Sequence, residues 1–176
     1  MTILQESPVL RSIPLSIREE FRRRLDKTVK SSMMEDILFV QLSKDPRLTK
    51  DYEVRKYRDS IGLHEYDLVL TDRKRDQVIL FEVKHSKEYT PIYQAQHLLD
   101  NKACTAVEQD LHATIDGKAI IYRGKTQPCT QGISYININD FLTEPMAFLN
   151  VIRNYYQGEN WNSSLCQRII ATDFPK

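Results

Sequence analysis

The segment VILFEV, residues 78–83, constrains the fold of this chain more than any other stretch of its sequence. Five of its six residues are apolar, and polar residues flank it on both sides. A short, continuous apolar run of this kind is typical of a strand buried in the middle of a sheet. The sequence therefore predicts a sheet with this segment as its central strand.

A long helix is predicted before this strand, from Ser16 to about Leu42. Apolar residues recur there at steps of three or four, which would place them on one face, and Ser16 with Glu19 has the spacing of a capping box. The serine pair at positions 31 and 32 is a candidate break, and Pro46 is expected to close the helical region. The face predicted to contact the core consists of Phe21, Leu25, Val29, Met33, Ile37 and Val40.

The remaining elements are short. Strands are predicted at residues 52–57, 66–70, 119–122 and 133–138, with a hairpin loop at 71–76. Helices are predicted at residues 92–111 and from Asn139 or Asp140 to Tyr156, with Pro145 inside the second. This order of a helix, three strands, a helix, two strands and a helix predicts one α/β domain. Its mixed central sheet would be flanked by helices on both faces.

Composition limits the classes of function that remain open. The 176 residues suffice for one domain, 41% of them are hydrophobic, and 25 Lys and Arg against 24 Asp and Glu give a net charge of +1. No run of 18 apolar residues is present, which excludes a membrane-spanning helix, and the start lacks the pattern of a signal peptide. Three distant cysteines without a CxxC pair argue against a disulfide framework or a zinc cluster, so a cytoplasmic location is expected.

The ends of the chain are predicted to differ from its middle. Residues 1–17 are interpreted as an N-terminal arm, because Pro8 and Pro14 interrupt them and they show no clear apolar period. A polar break follows the last predicted helix at residues 158–164. The α/β domain is therefore expected to span residues 18–157, with residues 158–176 as an extension that packs on it.

Asp67, Glu82 and Lys84 form the group with the clearest chemical meaning. Alternate residues of a strand point to the same face, so Glu82 and Lys84 share one face at the end of the central strand. If Asp67 ends the neighbouring strand of the hairpin, its carboxylate comes close to that of Glu82. Two converging carboxylates favour a divalent cation such as Mg²⁺, and a lysine beside them can position or deprotonate a water that attacks a phosphodiester.

The triplet Glu82-Val83-Lys84 is one of four acid-x-Lys triplets in the chain. The other three begin at Asp72, Asp100 and Asp116, in polar, turn-like surroundings, and are expected on the solvated surface. Only the Glu82 triplet ends a predicted buried strand and has a hairpin partner that carries an acid. A simple ion pair at a strand end is the alternative interpretation of this triplet.

Glu35, in the helical sequence MMEDI, completes a pattern that resembles the PD-(D/E)XK nuclease superfamily: a helix glutamate, a strand acid, a strand ending in Glu-x-Lys and a following helix. More closely, the chain resembles the nuclease-like domain found C-terminal to the motor in many bacterial and archaeal AAA-type ATPases. The resemblance covers roughly residues 18–150. It is carried by SSMMEDILFVQL, YEVRKYRDSIGLHEYDLVL and VILFEVKHSKE, and further by QHLLDNKAC, KAIIYRGKTQP and ISYININDFL.

The resemblance implies a restriction-endonuclease-like core and a metal-dependent phosphodiester hydrolase. Carried over position by position, it implies Asp67 and Glu82 as metal ligands, Glu35 as a supporting acid and Lys84 as the catalytic lysine. The implied cofactor is Mg²⁺ or Mn²⁺, and the implied substrate is DNA. An AAA-type ATPase motor, in the same or another chain, is the implied partner.

Five further residues are candidate substrate contacts. Relatives carry a glutamine in the helix after the lysine, and Gln94 and Gln96 both qualify. His85 follows Lys84 at the strand exit, while Arg22 and Lys56 belong to basic segments, residues 17–30 with a net charge of +3 and residues 50–58 with +2. These segments are interpreted either as a surface that tracks phosphates or as solvated faces, and residues 97–116 carry a net −3.

A second class of function stays open beside the nuclease. The same fold could serve as a non-catalytic module that binds DNA or protein, because fold similarity alone does not establish an activity. The sequence also leaves open whether the nucleic acid is DNA or RNA, and which oligomeric state the chain adopts.

Overall fold

The structure, a computed structural model, describes residues 14–161. Most of the predicted N-terminal arm and C-terminal extension, namely residues 1–13 and 162–176, lies outside the described residues. Residues 15–17, which the sequence assigned to the arm, belong to the first helix. Within the described range, no helix combines the length and the apolar character needed to cross a membrane.

A mixed sheet of six strands forms the centre of the described part of the chain, in the order β1-β2-β3-β4-β6-β5. The first three strands pair antiparallel, β3, β4 and β6 run parallel to one another, and the short β5 pairs antiparallel with β6. The strand bounds are Tyr52–Arg58 (β1), Glu65–Asp72 (β2), Gln77–Lys84 (β3), Thr114–Tyr122 (β4), Gln127–Pro128 (β5) and Ile133–Asn137 (β6). The predicted central strand is confirmed, since residues 78–83 of β3 are all buried.

Helices cover both faces of this sheet. Their bounds are Leu15–Lys44 (α1), Pro46–Thr49 (α2), Pro91–Gln94 (α3), Gln96–Leu99 (α4), Asn101–Leu111 (α5), Ile138–Thr143 (α6) and Pro145–Tyr156 (α7). One apolar core joins α1, α2, α6 and α7 to one face of the sheet, and a second core joins α4 and α5 to the other. The predicted class, an α/β domain with a mixed central sheet flanked by helices, is confirmed.

Helix α1 contacts the core through a different face from the one predicted. Of the predicted face, Phe21, Val29, Met33, Ile37 and Val40 are between 42% and 55% exposed, and Leu25 is half-buried. The buried residues of this helix are Met34, Leu38 and Leu42, which all lie in its second half. The prediction was wrong because apolar spacing shows that residues share a face but not whether another element covers that face.

Several predicted helix boundaries also differ. Helix α1 runs without a break through the serine pair, and Pro14 precedes it without the predicted side-chain cap from Ser16. The segment 92–111 forms three short helices, and Asp100 caps the third by accepting hydrogen bonds from the amides of Lys102 and Ala103. The last helical region is divided at Pro145, and Asn137, rather than Asn139 or Asp140, caps its first part.

Candidate active site

The β2–β3 hairpin brings Asp67 and Glu82 together. The antiparallel register extends as far as Leu68 with Phe81, and Asp67 and Glu82 are the next residues beyond this last pair. The Asp67 carboxylate is fixed there because its Oδ2 accepts a hydrogen bond of 2.6 Å from the amide of Val83. This hydrogen bond holds the Asp67 carboxylate against the backbone amide that follows Glu82.

Glu82 and Lys84 form an ion pair at the end of β3. Lys84 Nζ lies 2.7 Å from Glu82 Oε2, and the side chains of lysine and glutamate are 32% and 5% exposed, respectively. A carboxylate that is almost fully removed from water loses its hydration, and one lysine compensates that loss only in part. The ion pair expected under the alternative interpretation exists, but it includes a carboxylate that also faces a second acid.

The local electrostatics oppose negative charge at this point. Burial, and then the charge of Asp67, raise the pKa of Glu82 to about 7, although Lys84 acts in the opposite direction. Burial likewise raises the pKa of Asp67, against the hydrogen bond from Val83 and the charge of Lys84. Burial alone would lower the pKa of Lys84, but the charge of Glu82 and its hydrogen bond outweigh it, so that pKa is raised. An added cation would relieve this excess of negative charge.

Glu35 belongs to the same electrostatic neighbourhood. It is half-buried on α1, directly after Met34, which packs into the core beneath the sheet. Burial and then the charge of Asp67 raise the pKa of Glu35, while Lys56 and Lys84 oppose the rise. Glu35 is thus influenced by the charge of Asp67, but it does not form a three-acid metal group with Asp67 and Glu82 within residues 14–161, and its supporting role stays a prediction.

The donor atoms fit a hard divalent cation. Asp67 and Glu82 offer carboxylate oxygens, and among the described residues their hydrogen bonds engage only Oδ2 of the first and Oε2 of the second. No group of three or more His, Cys, Asp or Glu side chains arranged to hold a metal exists within residues 14–161. Mg²⁺ is commonly held by one or two carboxylates together with water and substrate phosphates, so a two-carboxylate set suits it.

The candidate substrate contacts lie in different environments. Gln94 is tied to the protein, since its Oε1 accepts a hydrogen bond of 2.6 Å from the Tyr135 hydroxyl, whereas Gln96 is exposed. His85 Nε2 lies 3.1 Å from Arg123 Nη1. The remaining two candidates are Lys56, whose Nζ lies 2.6 Å from Asp36 Oδ1, and Arg22, which is exposed on α1.

A buried polar cluster beneath the site was missed by the sequence analysis. Lys118 Nζ donates a hydrogen bond of 2.7 Å to the carbonyl of Leu98 and lies 3.1 Å from Cys104 Sγ. The Tyr66 hydroxyl donates a hydrogen bond of 3.1 Å to the carbonyl of His97, and burial followed by the nearby Cys104 raises the pKa of that tyrosine. These groups belong to the core on the α4 and α5 side of the sheet.

The expectation that the other triplets lie on the surface was wrong for Asp72, which is only 6% exposed, and for the triplet that begins at Asp116. Asp116 and Lys118 are part of β4 and are only 5% and 9% exposed. Gly117 between them suggested a turn, but it serves close packing, since a Cβ atom there would lie 2.7 Å from Cγ2 of Ile152. The sequence predicted β4 only from residue 119, and period-two alternation around Gly117 is a local signal of its earlier start at Thr114.

Comparisons with known protein families, with curated proteins and with solved structures found no match. The chemistry of the site is therefore judged from its own geometry.

Proposed function

We propose that this domain is a divalent-metal-dependent nuclease that hydrolyses phosphodiester bonds of DNA. The observation that carries the proposal is the convergence of the Asp67 carboxylate and the Glu82–Lys84 pair at the end of one hairpin. Burying two acids and a lysine together lowers the stability of the fold. A functional role would explain why such a group is present. Metal-assisted attack of water on a phosphodiester is a reaction that needs these groups together.

Each residue has a role that follows from its environment. Asp67 and Glu82 would hold Mg²⁺ or Mn²⁺, and the bound ion would stabilise negative charge on the phosphate. The raised pKa of Lys84 keeps its ammonium protonated, so it is suited to hold the attacking water by donating a hydrogen bond rather than to take up its proton. Glu35 would support this arrangement from the helix side.

A cleavage assay tests the proposal. Purified protein is incubated with plasmid and with linear DNA in Mg²⁺ or Mn²⁺, beside Lys84→Ala and an EDTA control. Loss of a charged group that acts on the transition state should lower the cleavage rate by a factor of about 100 or more. Equal cleavage by the wild type and the variant would contradict the assignment.

The matched control is Lys74→Ala. Lys74 belongs to another acid-x-Lys triplet, is exposed, and pairs with Asp51 at 2.6 Å on the far end of the β2–β3 hairpin. Its removal should leave the cleavage rate unchanged. Circular dichroism of both variants separates a folding defect from a catalytic one, and Asp67→Asn provides an independent test of the metal ligands.

A second candidate function is a non-catalytic module that binds DNA or protein. One observation favours it: the Glu82–Lys84 pair is closed at 2.7 Å, and the described residues contain no three-ligand metal group. Calorimetric titration with Mn²⁺ discriminates between the two functions. Absence of metal binding, together with salt-sensitive DNA binding or capture of an ATPase subunit, would favour the module.

The setting of the activity is also part of the proposal. By its sequence resemblance the domain would act with an AAA-type ATPase motor, in the same or another chain. A cytoplasmic location agrees with the two described cysteines, Cys104 and Cys129, which are free thiols.

A further inference from the structure

A cleft with an unusual lining opens at the same end of β3 as the candidate active site. It has a volume of about 550 Å³ and separates α1 from the carboxyl ends of the parallel strands β3, β4 and β6. Its positively charged or basic side chains are Lys30, His85, Lys87 and Arg123, and none of its lining residues is acidic. The carboxyl ends of parallel strands are where α/β proteins commonly bind ligands.

The basic side of the cleft is held in place by the sheet. The register of β3 and β4 pairs Lys84 with Tyr122, so the residues that follow, His85 and Arg123, leave the sheet side by side. The amide of Arg123 donates a hydrogen bond of 3.1 Å to the carbonyl of Ser86. A Cβ atom on the next residue, Gly124, would lie 2.5 Å from the carbonyl oxygen of Lys87, so the two strand exits pack without space between them.

The charges on this side are available to a ligand. Among residues 14–161, neither Lys87 nor Arg123 forms an ion pair with a carboxylate, whereas Lys30 pairs with Asp26 at 2.6 Å. Arginine is only a donor, so the 3.1 Å contact from Arg123 requires His85 Nε2 to accept. A rigid site with basic groups and no acid is suited to anionic oxygens such as those of phosphate.

The opposite side of the cleft, formed by α1, is apolar except for Lys30. Met33 and Ile37 of α1 line it and are 55% and 50% exposed, so they are solvated at present. A DNA duplex exposes its phosphates and the edges of its bases, while the faces of the bases stay stacked inside the helix. A bound duplex would therefore leave Met33 and Ile37 without a contact. A single strand offers phosphates and base faces together, and sites for single strands combine a positive groove with side chains, usually aromatic, on which the bases stack.

We propose that the cleft binds a single-stranded segment of nucleic acid. Its phosphates would contact His85, Lys87 and Arg123, and its bases would contact Met33 and Ile37. A volume of about 550 Å³ is that of a small-molecule site, which a nucleotide or two would fill. His85 follows Lys84 at the end of β3, so the cleft opens at the strand end that carries the proposed hydrolytic groups, and in that respect the inference rests on the proposed function.

Fluorescence anisotropy in EDTA tests binding without cleavage. The full chain is titrated with a labelled single-stranded oligonucleotide and with a duplex of the same length. The single strand should bind more tightly. The double variant Lys87→Gln/Arg123→Gln should weaken that binding about tenfold and lower the salt slope by about 1.4, which corresponds to two phosphate contacts on a single strand.

Matched variants and a competitor make the test specific. Lys74→Gln, an exposed lysine remote from the cleft, should leave single-strand affinity unchanged, and Met33→Ser/Ile37→Ser should reduce the preference for single strands. Equal or tighter binding of the duplex, or unchanged affinity in Lys87→Gln/Arg123→Gln, overturns the inference. A phosphopeptide of equal charge that competes as well as the oligonucleotide also overturns it.

The failure of this inference differs from the failure of the proposed function. If the protein binds single strands through Lys87 and Arg123 but never cleaves DNA, the proposed nuclease activity is rejected and single-strand binding in the cleft is supported. If metal-dependent cleavage is lost in Lys84→Ala but unaffected by Lys87→Gln/Arg123→Gln, the nuclease activity is supported and single-strand binding in the cleft is rejected. Circular dichroism confirms that each variant is folded before its binding is measured.

Discussion

Glu82 is held where its own charge is unfavourable. Burial and the facing Asp67 raise its pKa to about 7, far above that of a glutamate in an unfolded chain. Between the unfolded and folded pKa values the folded state therefore binds more protons than the unfolded state. Stability consequently falls as the pH rises through that window, which is the reverse of the usual behaviour of a salt-bridged acid.

This fall in stability with rising pH should distinguish the wild type from Glu82→Gln. In EDTA, the stability of the wild type should fall relative to that of the variant as the pH rises from about 4.5 to about 7, by at most about 3 kcal/mol. Urea unfolding at several pH values measures the difference. Glu53→Gln, which removes an exposed acid of the neighbouring strand β1, should keep the pH dependence of the wild type. A difference for Glu82→Gln that stays flat over this window contradicts the account.

The residues of the candidate site were largely predictable, whereas those beneath it were not. Asp67, Glu82 and Lys84 lie on a local hairpin, so alternation and strand order were sufficient to bring them together. Lys118 obtains its hydrogen-bond partner, the carbonyl of Leu98, from another element 20 residues earlier in the chain. A sequence pattern does not reveal such a partner, so this lysine had the same local appearance as one on the surface.

Helix α1 is the element whose packing the sequence predicted least well. Two apolar rows run along it, and only the row with Met34, Leu38 and Leu42 meets the sheet. The other row has the more regular spacing and extends over the first half of the helix, where none of the described side chains is buried. The strands were predicted better. Strand β3 is buried on both faces, so predicting it from its apolar run does not require knowing which face meets the core.

Two adjacent residues of α1 test this assignment. Leu38 is fully buried and Ile37 is half exposed, although both are large and apolar. Leu38→Ala should lower the free energy of unfolding by about 2–5 kcal/mol because it leaves a cavity in the core. Ile37→Ala should change it by less than about 0.5 kcal/mol, as is usual for surface positions.

Chemical denaturation of both variants measures these effects. Equal losses of stability, or a larger loss for Ile37→Ala, would mean that the exposed row of α1 is covered in solution. In that case the apolar wall of the cleft would also be unavailable to a ligand.

At the scale of the whole molecule, Arg153 connects elements that are distant in the sequence. It projects from α7, donates a hydrogen bond of 2.6 Å to the Tyr52 hydroxyl at the start of β1, and lies 3.3 Å from Asp72 Oδ2 at the end of β2. It also pairs with Asp116 of β4. All three charged groups are buried, so removing the arginine would leave two carboxylates without their counter-charge.

Arg153→Met should therefore be strongly destabilising. The expected loss is about 3–5 kcal/mol, which corresponds to a fall in Tm of about 10 °C for a domain of this size. Arg58→Met is the control, since Arg58 pairs with Glu65 at 2.8 Å on the surface, where such pairs contribute less than about 1 kcal/mol. Thermal unfolding followed by circular dichroism compares them, and similar Tm values for the two variants would contradict the role of Arg153.

The strand order also has a consequence for the order of events in folding. Asp67 and Glu82 are only 15 residues apart and meet through an antiparallel hairpin, a structure that forms within about 1–10 μs. The parallel partner β4 follows β3 only after residues 85–113, and pairings of such separation form later because the chain must first close a long loop. The two acids therefore come together while water still surrounds them. Their dehydration falls in a later step, when β4 and the helices that precede it close over the hairpin.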